Sequence, residues 1–169
     1  MNKKLICIIA FVFAFSFAFI ACSDNDDTSD YTKGIVGTYD GTIKIEEFNN
    51  IELPNSIILT RVANNKVKVA LAEIEIPNGD LPSVKIKNIE VNNVPVVEVM
   101  SVESQSNKSK NYVLNKTTEK IKIDFGLEFD VEVTVSGTIV SGELNLKIAT
   151  GEVVGYPDGL DIFFTGDKK

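Results

Sequence analysis

The chain reads as all-β: an antiparallel, up-and-down, eight-stranded β-barrel, with a β-sandwich as the competing arrangement. Three observations carry this reading. From residue 34 onward, apolar and polar residues alternate with period two in run after run, as expected of strands with one buried face. Helical spacing of apolar residues over a useful length is absent there. The runs are separated mostly by short turns rich in Asn, Gly and Pro, which join consecutive antiparallel neighbours into a meander. Eight such strands close on themselves, and closure removes the exposed edges that invite aggregation.

The elements follow in order. Tyr39, Gly41, Ile43 and Ile45 share one face of the first strand, with Asp40, Thr42, Lys44 and Glu46 on the other. Residues 57–62 form a second strand, and Asn64-Asn65 turns it into a third, where Val67, Val69 and Leu71 alternate with lysines. Asn suits that turn because it tolerates positive φ. Residues 77–80 read as a turn, and Pro82 as the end of any strand nearby. Residues 84–91 alternate again. Residues 94–102 are nearly all apolar, so that strand is either covered on both sides or bulged so that it changes face. Residues 104–111 are purely polar and read as a loop. A short strand begins at Tyr112, and Ile121, Ile123 and Phe125 mark another. The strongest hairpin signal is residues 129–149, where two alternating runs flank Ser141-Gly142. Residues 155–159 form a turn, and 160–165 the last strand.

Ahead of this lies a segment of another kind. Lys3 and Lys4 precede an apolar run over residues 5–19, followed by small residues and Cys22. A positive start, a short apolar core and a small-residue cleavage site make an export signal, and the run is short for a stable membrane span. Phe19-Ile20-Ala21-Cys22 resembles the lipobox of bacterial lipoproteins. The resemblance implies cleavage before Cys22 and acyl chains on its sulfur and amine; ordinary cleavage after Ala21 is the alternative. Residues 1–21 are then the signal peptide, 22–33 the lipidated Cys22 with an acidic flexible linker, and 34–169 the barrel domain. The acidic residues after Cys22 are Asp24, Asp26, Asp27 and Asp30, and Ser-Asp-Asn-Asp-Asp at 23–27 resembles the tag that places some lipoproteins on the outer face of the outer membrane. A plain solvated linker is the other reading.

Composition narrows function. The leader takes two of the 17 basic residues and none of the 24 acidic ones, so the mature chain is more acidic than the formal net charge of −7. Such a polyanion repels nucleic acid, which is therefore not an expected partner. The chain has no His, which removes the commonest general base, the paired nucleophiles and the His-based metal sites. Of its two Cys, Cys7 leaves with the signal and Cys22 is lipidated. There is no Trp for a sugar platform, and the single Arg is Arg61. No cofactor, no metal and no enzymatic activity are expected.

Gly37-Thr38-Tyr39-Asp40-Gly41-Thr42, then Val135-Ser136-Gly137-Thr138 with Gly142-Glu143-Leu144-Asn145-Leu146, then Phe163-Phe164-Thr165-Gly166 resemble the calycin-like (lipocalin-like) β-barrel lipoproteins of Gram-negative bacteria. The resemblance covers residues 34–166. It implies an eight-stranded barrel and no settled activity. The chain departs from lipocalins proper at Tyr39, where they carry Trp, and lacks their Arg at the end of the barrel. Tyr39 is then a plug at the barrel base.

Site residues are few. Tyr112, Phe125, Phe129 and Phe163 either line an apolar ligand cavity or belong to the core. Of the carboxylate pairs Glu46 with Glu47, Glu73 with Glu75 and Asp130 with Glu132, the last two each share one face of a strand, which would serve acid/base chemistry or a calcium site. Asp130 and Glu132 lie on the polar face opposite Val131 and Val133, which favours a solvated outer face. The segment from Asp158 to Asp161 is too short for a calcium loop. The expected function is a non-enzymatic cell-envelope lipoprotein, anchored in the outer membrane by Cys22 and exposed at the cell surface or on the periplasmic face. It holds a small apolar ligand or serves an outer-membrane complex as an accessory protein. The alternative is a structural or protein-interaction barrel with a filled core and no ligand cavity.

Overall fold

The computed structural model describes residues 30–78, 81–99, 110–124, 126–153 and 155–169. A one-turn helix, α1 (Thr32–Ile35), leads into β1 (Gly37–Ile45), β2 (Ile51–Ala63), β3 (Lys66–Leu71), β4 (Ile74–Asn78), β5 (Leu81–Ile86), β6 (Glu90–Val99), β7 (Asn111–Asp124), β8 (Glu128–Val140), β9 (Glu143–Thr150) and β10 (Asp161–Lys168). Eight strands close into a barrel in the order β1-β10-β9-β8-β7-β6-β3-β2, and β4 pairs only with β5. Every pairing is antiparallel. The barrel is therefore the correct arrangement and the sandwich is not.

Alternation decides what lies inside. Tyr39, Ile43, Ile45, Ile57, Val67, Val91, Val94, Ile123, Val133, Val135, Leu144, Ile148 and Ile162 all have 0% of their surface exposed. They come from all eight barrel strands. Each such side chain contributes about 1.5–3 kcal/mol on burial, which lets a domain of this size stand without disulfides.

Antiparallel order sorts the connections between two ends. The base carries α1, the Asn64-Asn65 turn, the Ser141-Gly142 turn and the C-terminus. The crown carries the 3-10 turn at Glu46–Phe48, the β4–β5 hairpin and residues 151–160. At the base, Ser141 (φ 54) and Gly142 (φ 93) both take positive φ, the two-residue turn whose twist matches the flanking strands. The crown is packed as well: Ile74, Ile76 and Ile86 of the small hairpin are buried, and Phe48 meets Tyr156 at 5.1 Å between ring centroids.

Five expectations need correction. The run 84–91 is not one strand: Asn88 takes φ 62, which breaks it into β5 and β6. Pro82 does not end a strand but lies within β5, in a two-stranded sheet whose open edges tolerate a residue without an N–H. The segments at Tyr112 and Ile121 are one strand, β7, with an extra residue between Leu114 and Thr117. The end of the polar linker is not free: Thr32 is fully buried, and Asp30 receives bonds from Thr32 Oγ1 (2.6 Å) and Arg61 Nε (2.8 Å). The described part of the apolar run from Val94 is neither covered on both sides nor itself bulged: the bulge lies just ahead of it, at Asn92-Asn93, and Val94 to Val99 alternate regularly. Asn93 takes φ 54, Val91 and Val94 both face inward, and Val97 and Val99 are 43% and 45% exposed.

Candidate functional site

The four aromatic candidates are not brought together. Tyr112 is buried at the base. Phe129 packs on the core at the crown, beside Asp130, Glu152 and Val153 around an open hollow of about 410 Å³. Phe163 stands on the outer wall, one residue out of phase with the inward Ile162 and Phe164, and the Lys147 ammonium lies 5.1 Å from its ring centre. Phe125 lies outside the described residues, as does Cys22.

Tyr112 reaches a recess in which apolar walls meet hydroxyl and ammonium donors. It is a hollow of about 370 Å³ at the base, between α1, the start of β7, the β8–β9 turn and the end of β10. Its apolar wall is Ile35, Tyr39 and Ile139. Tyr39 stands at the bottom as the resemblance implies: its hydroxyl donates to Ile35 O at 2.8 Å. Burial pushes the Tyr39 phenol up to about 12, and neighbouring Tyr112 adds to the shift. Polar groups ring the mouth. Lys168 Nζ donates to Gly34 O at 2.9 Å, and Lys110 Nζ lies 3.5 Å from Glu98.

The N-terminal segment braces this end. The Asn65 side chain accepts the Tyr31 N–H at 2.8 Å. The Asp30 carboxyl is held well below the usual carboxylate range, most by the Thr32 hydroxyl, against the opposing effect of burial, then by Arg61 and the N–H groups of Thr32 and Asn65.

The carboxylate pairs are structural or solvated. Glu73 and Glu75 pair with Lys85, and Glu73 also with Lys87, across the β4–β5 hairpin. These partners lower both carboxyls, Lys87 acting most on Glu73 and Ser83 most on Glu75. Asp130 and Glu132 are exposed on β8. Among the described residues, no group of three or more metal-ligating side chains converges.

Two carboxylates depart from the outward rule: Glu98, in phase with Val94 and Val96, lies opposite the buried Tyr112, and Glu119 is the other. Glu119 lies opposite the inward-facing Val133 and accepts the Asn92 N–H at 2.7 Å. It spans the stretch where β6 and β7 no longer pair, above Val96 and Leu114. It fastens the β6 bulge across that gap. Sequence reasoning missed Glu119 because the extra residue near Asn115 reverses the phase of β7. It also missed Asp30 and Lys168, whose partners lie 31 and 134 residues away.

A closed eight-stranded antiparallel barrel with a helix at its base defines a lipocalin-like binding or structural barrel. The calycin-like β-barrel domain model matches residues 35–167, and the chain belongs to that family. No curated protein matches the chain, and no solved structure does.

Proposed function

We propose that the chain is a non-enzymatic envelope lipoprotein whose barrel is filled and works through its outer surface, as an accessory to an outer-membrane assembly. One observation supports the filled barrel. A side chain that lines a ligand-sized cup keeps part of its surface open to water, whereas each of the eight strands contributes at least one inward residue, such as Tyr39, Ile57, Val67, Val133 and Ile162, that keeps none. A small apolar ligand held inside the barrel is the reading this disfavours. The anchor rests on the sequence alone: an export signal and the lipobox-like residues before Cys22. One acyl chain holds a protein only marginally, at about 0.8 kcal/mol per buried methylene, so the three chains of a mature lipoprotein make release negligible. The acidic residues after Cys22 favour the cell-surface leaflet.

The test is metabolic labelling with an alkyne fatty acid in a Gram-negative host. The full-length protein is expected to take up label and fractionate with membranes, and Cys22→Ala to abolish both. An unlabelled, freely soluble wild type would overturn the anchor.

A further inference from the structure

We propose that the basal recess is an oxyanion site, taking a phosphate or carboxylate head group. Its donors converge on one residue. Lys168 Nζ bonds Gly34 O at 2.9 Å, and Tyr112 Oη lies 3.0 Å from the position a Cβ on Gly34 would occupy. Lys168 commits one of its three N–H donors there and pairs with no carboxylate among the described residues. The Tyr112 hydroxyl donates to no described group. Ser141, held by its turn with φ 54, brings a third donor to the rim, while Lys110, also at the rim, faces Glu98. Cations and hydroxyls converging on a hollow, with apolar walls that limit competing water, favour an oxygen anion.

The nearby carboxylates do not compete. Glu98 is engaged by Lys110, and Asp40 by Lys169 and Ser56. Gly34 is part of the design. It sits in the one-turn α1 without positive φ, so its backbone does not require glycine. A side chain there would press on the Tyr112 hydroxyl and narrow the mouth.

The ligand comes from one of two sources, a lipid head group or a free anion. The first rests on the anchored reading above, because the chain enters at this same end. Ile35 and Ile139 would then meet the methylenes next to the head group.

The experiment uses the full-length protein purified in neutral detergent, with tyrosine ring carbons labelled for NMR. The probes are hexyl phosphate and inorganic phosphate. The Tyr112 signal, assigned by its loss in Tyr112→Phe, is expected to shift on titration. Tyr112→Phe, which keeps the ring, and Lys168→Gln are each expected to weaken binding roughly tenfold, measured by calorimetry. Tighter binding of hexyl phosphate than of phosphate supports a lipid head group, and equal binding a free anion. No binding of either probe, or affinity unchanged in both variants, overturns the site. Fatty-acid labelling at Cys22 is read separately, so failure of the recess and failure of the anchor are distinguishable.

Discussion

Tyr39 carries the base of the barrel on a single hydroxyl. Its ring is fully buried, and the hydroxyl satisfies the carbonyl of Ile35 at the end of α1. Removing one partner of a buried hydrogen bond leaves the other unpaired, which costs about 1–3 kcal/mol. Tyr39→Phe is therefore expected to lower unfolding free energy by that amount in urea titrations at pH 7. The pH dependence has a definite sign. The folded phenol is raised from 10.0 to about 12, so the folded state holds its proton more tightly than the unfolded chain. The stability Tyr39 contributes is whole below about pH 10 and is lost as pH rises toward about 12. Wild type is expected to lose stability through that window faster than Tyr39→Phe. Parallel decline of the two would contradict the assignment. Alternation places Tyr39 on the inward face of the first strand, and only the resemblance, in which it stands where lipocalins carry Trp, implies a plug. Asp30 was not legible, because its role depends on Arg61 and Asn65 folding back onto it.

At the scale of the strand, alternation names the inward residues wherever pairing is regular. It fails at bulges, where one extra residue reverses the phase. Asn92 and Asn93 in β6, and Asn115 and Lys116 in β7, are such places, and Asn93 takes φ 54. Polar residues at these positions look like loop or turn residues in the sequence. The structure uses them to bend strands that continue. The hairpins at Asn64-Asn65 and Ser141-Gly142 were legible because turn chemistry there is local. The β1–β10 seam was not, because its two strands come from opposite ends of the chain. Its tightest point is Gly41 opposite Gly166. A Cβ on Gly41 would collide with the Thr165 carbonyl oxygen and the Gly166 backbone. Overpacking of this kind costs about 1–3 kcal/mol, and here the obstruction is backbone, which cannot rotate away. Gly41→Ala is expected to lower the urea midpoint and to speed amide exchange in β1 and β10 ahead of β7 and β8. Exchange accelerated uniformly, or not at all, would show that the seam is not the point of strain.

Over the whole molecule, the barrel encloses side chains. Aliphatic residues from every wall meet inside, the helix and Tyr39 close the base, and the β4–β5 hairpin with residues 151–160 covers the crown. What the sequence shows of function is mainly exclusion: without His, the commonest general base and the His-paired nucleophiles are closed to this chain. The basal recess was invisible in it, because Gly34, Tyr112, Ser141 and Lys168 are scattered along the chain and meet only on closure. On the proposed reading, the surface and not the interior is where partners would bind. Native mass spectrometry of the full-length product, extracted from membranes in neutral detergent, tests this most directly. The account predicts the polypeptide from Cys22 onward with its acyl groups and no other apolar component. A small apolar molecule that co-purifies, survives gentle ionisation and is lost on organic extraction would contradict it and restore a ligand to the barrel.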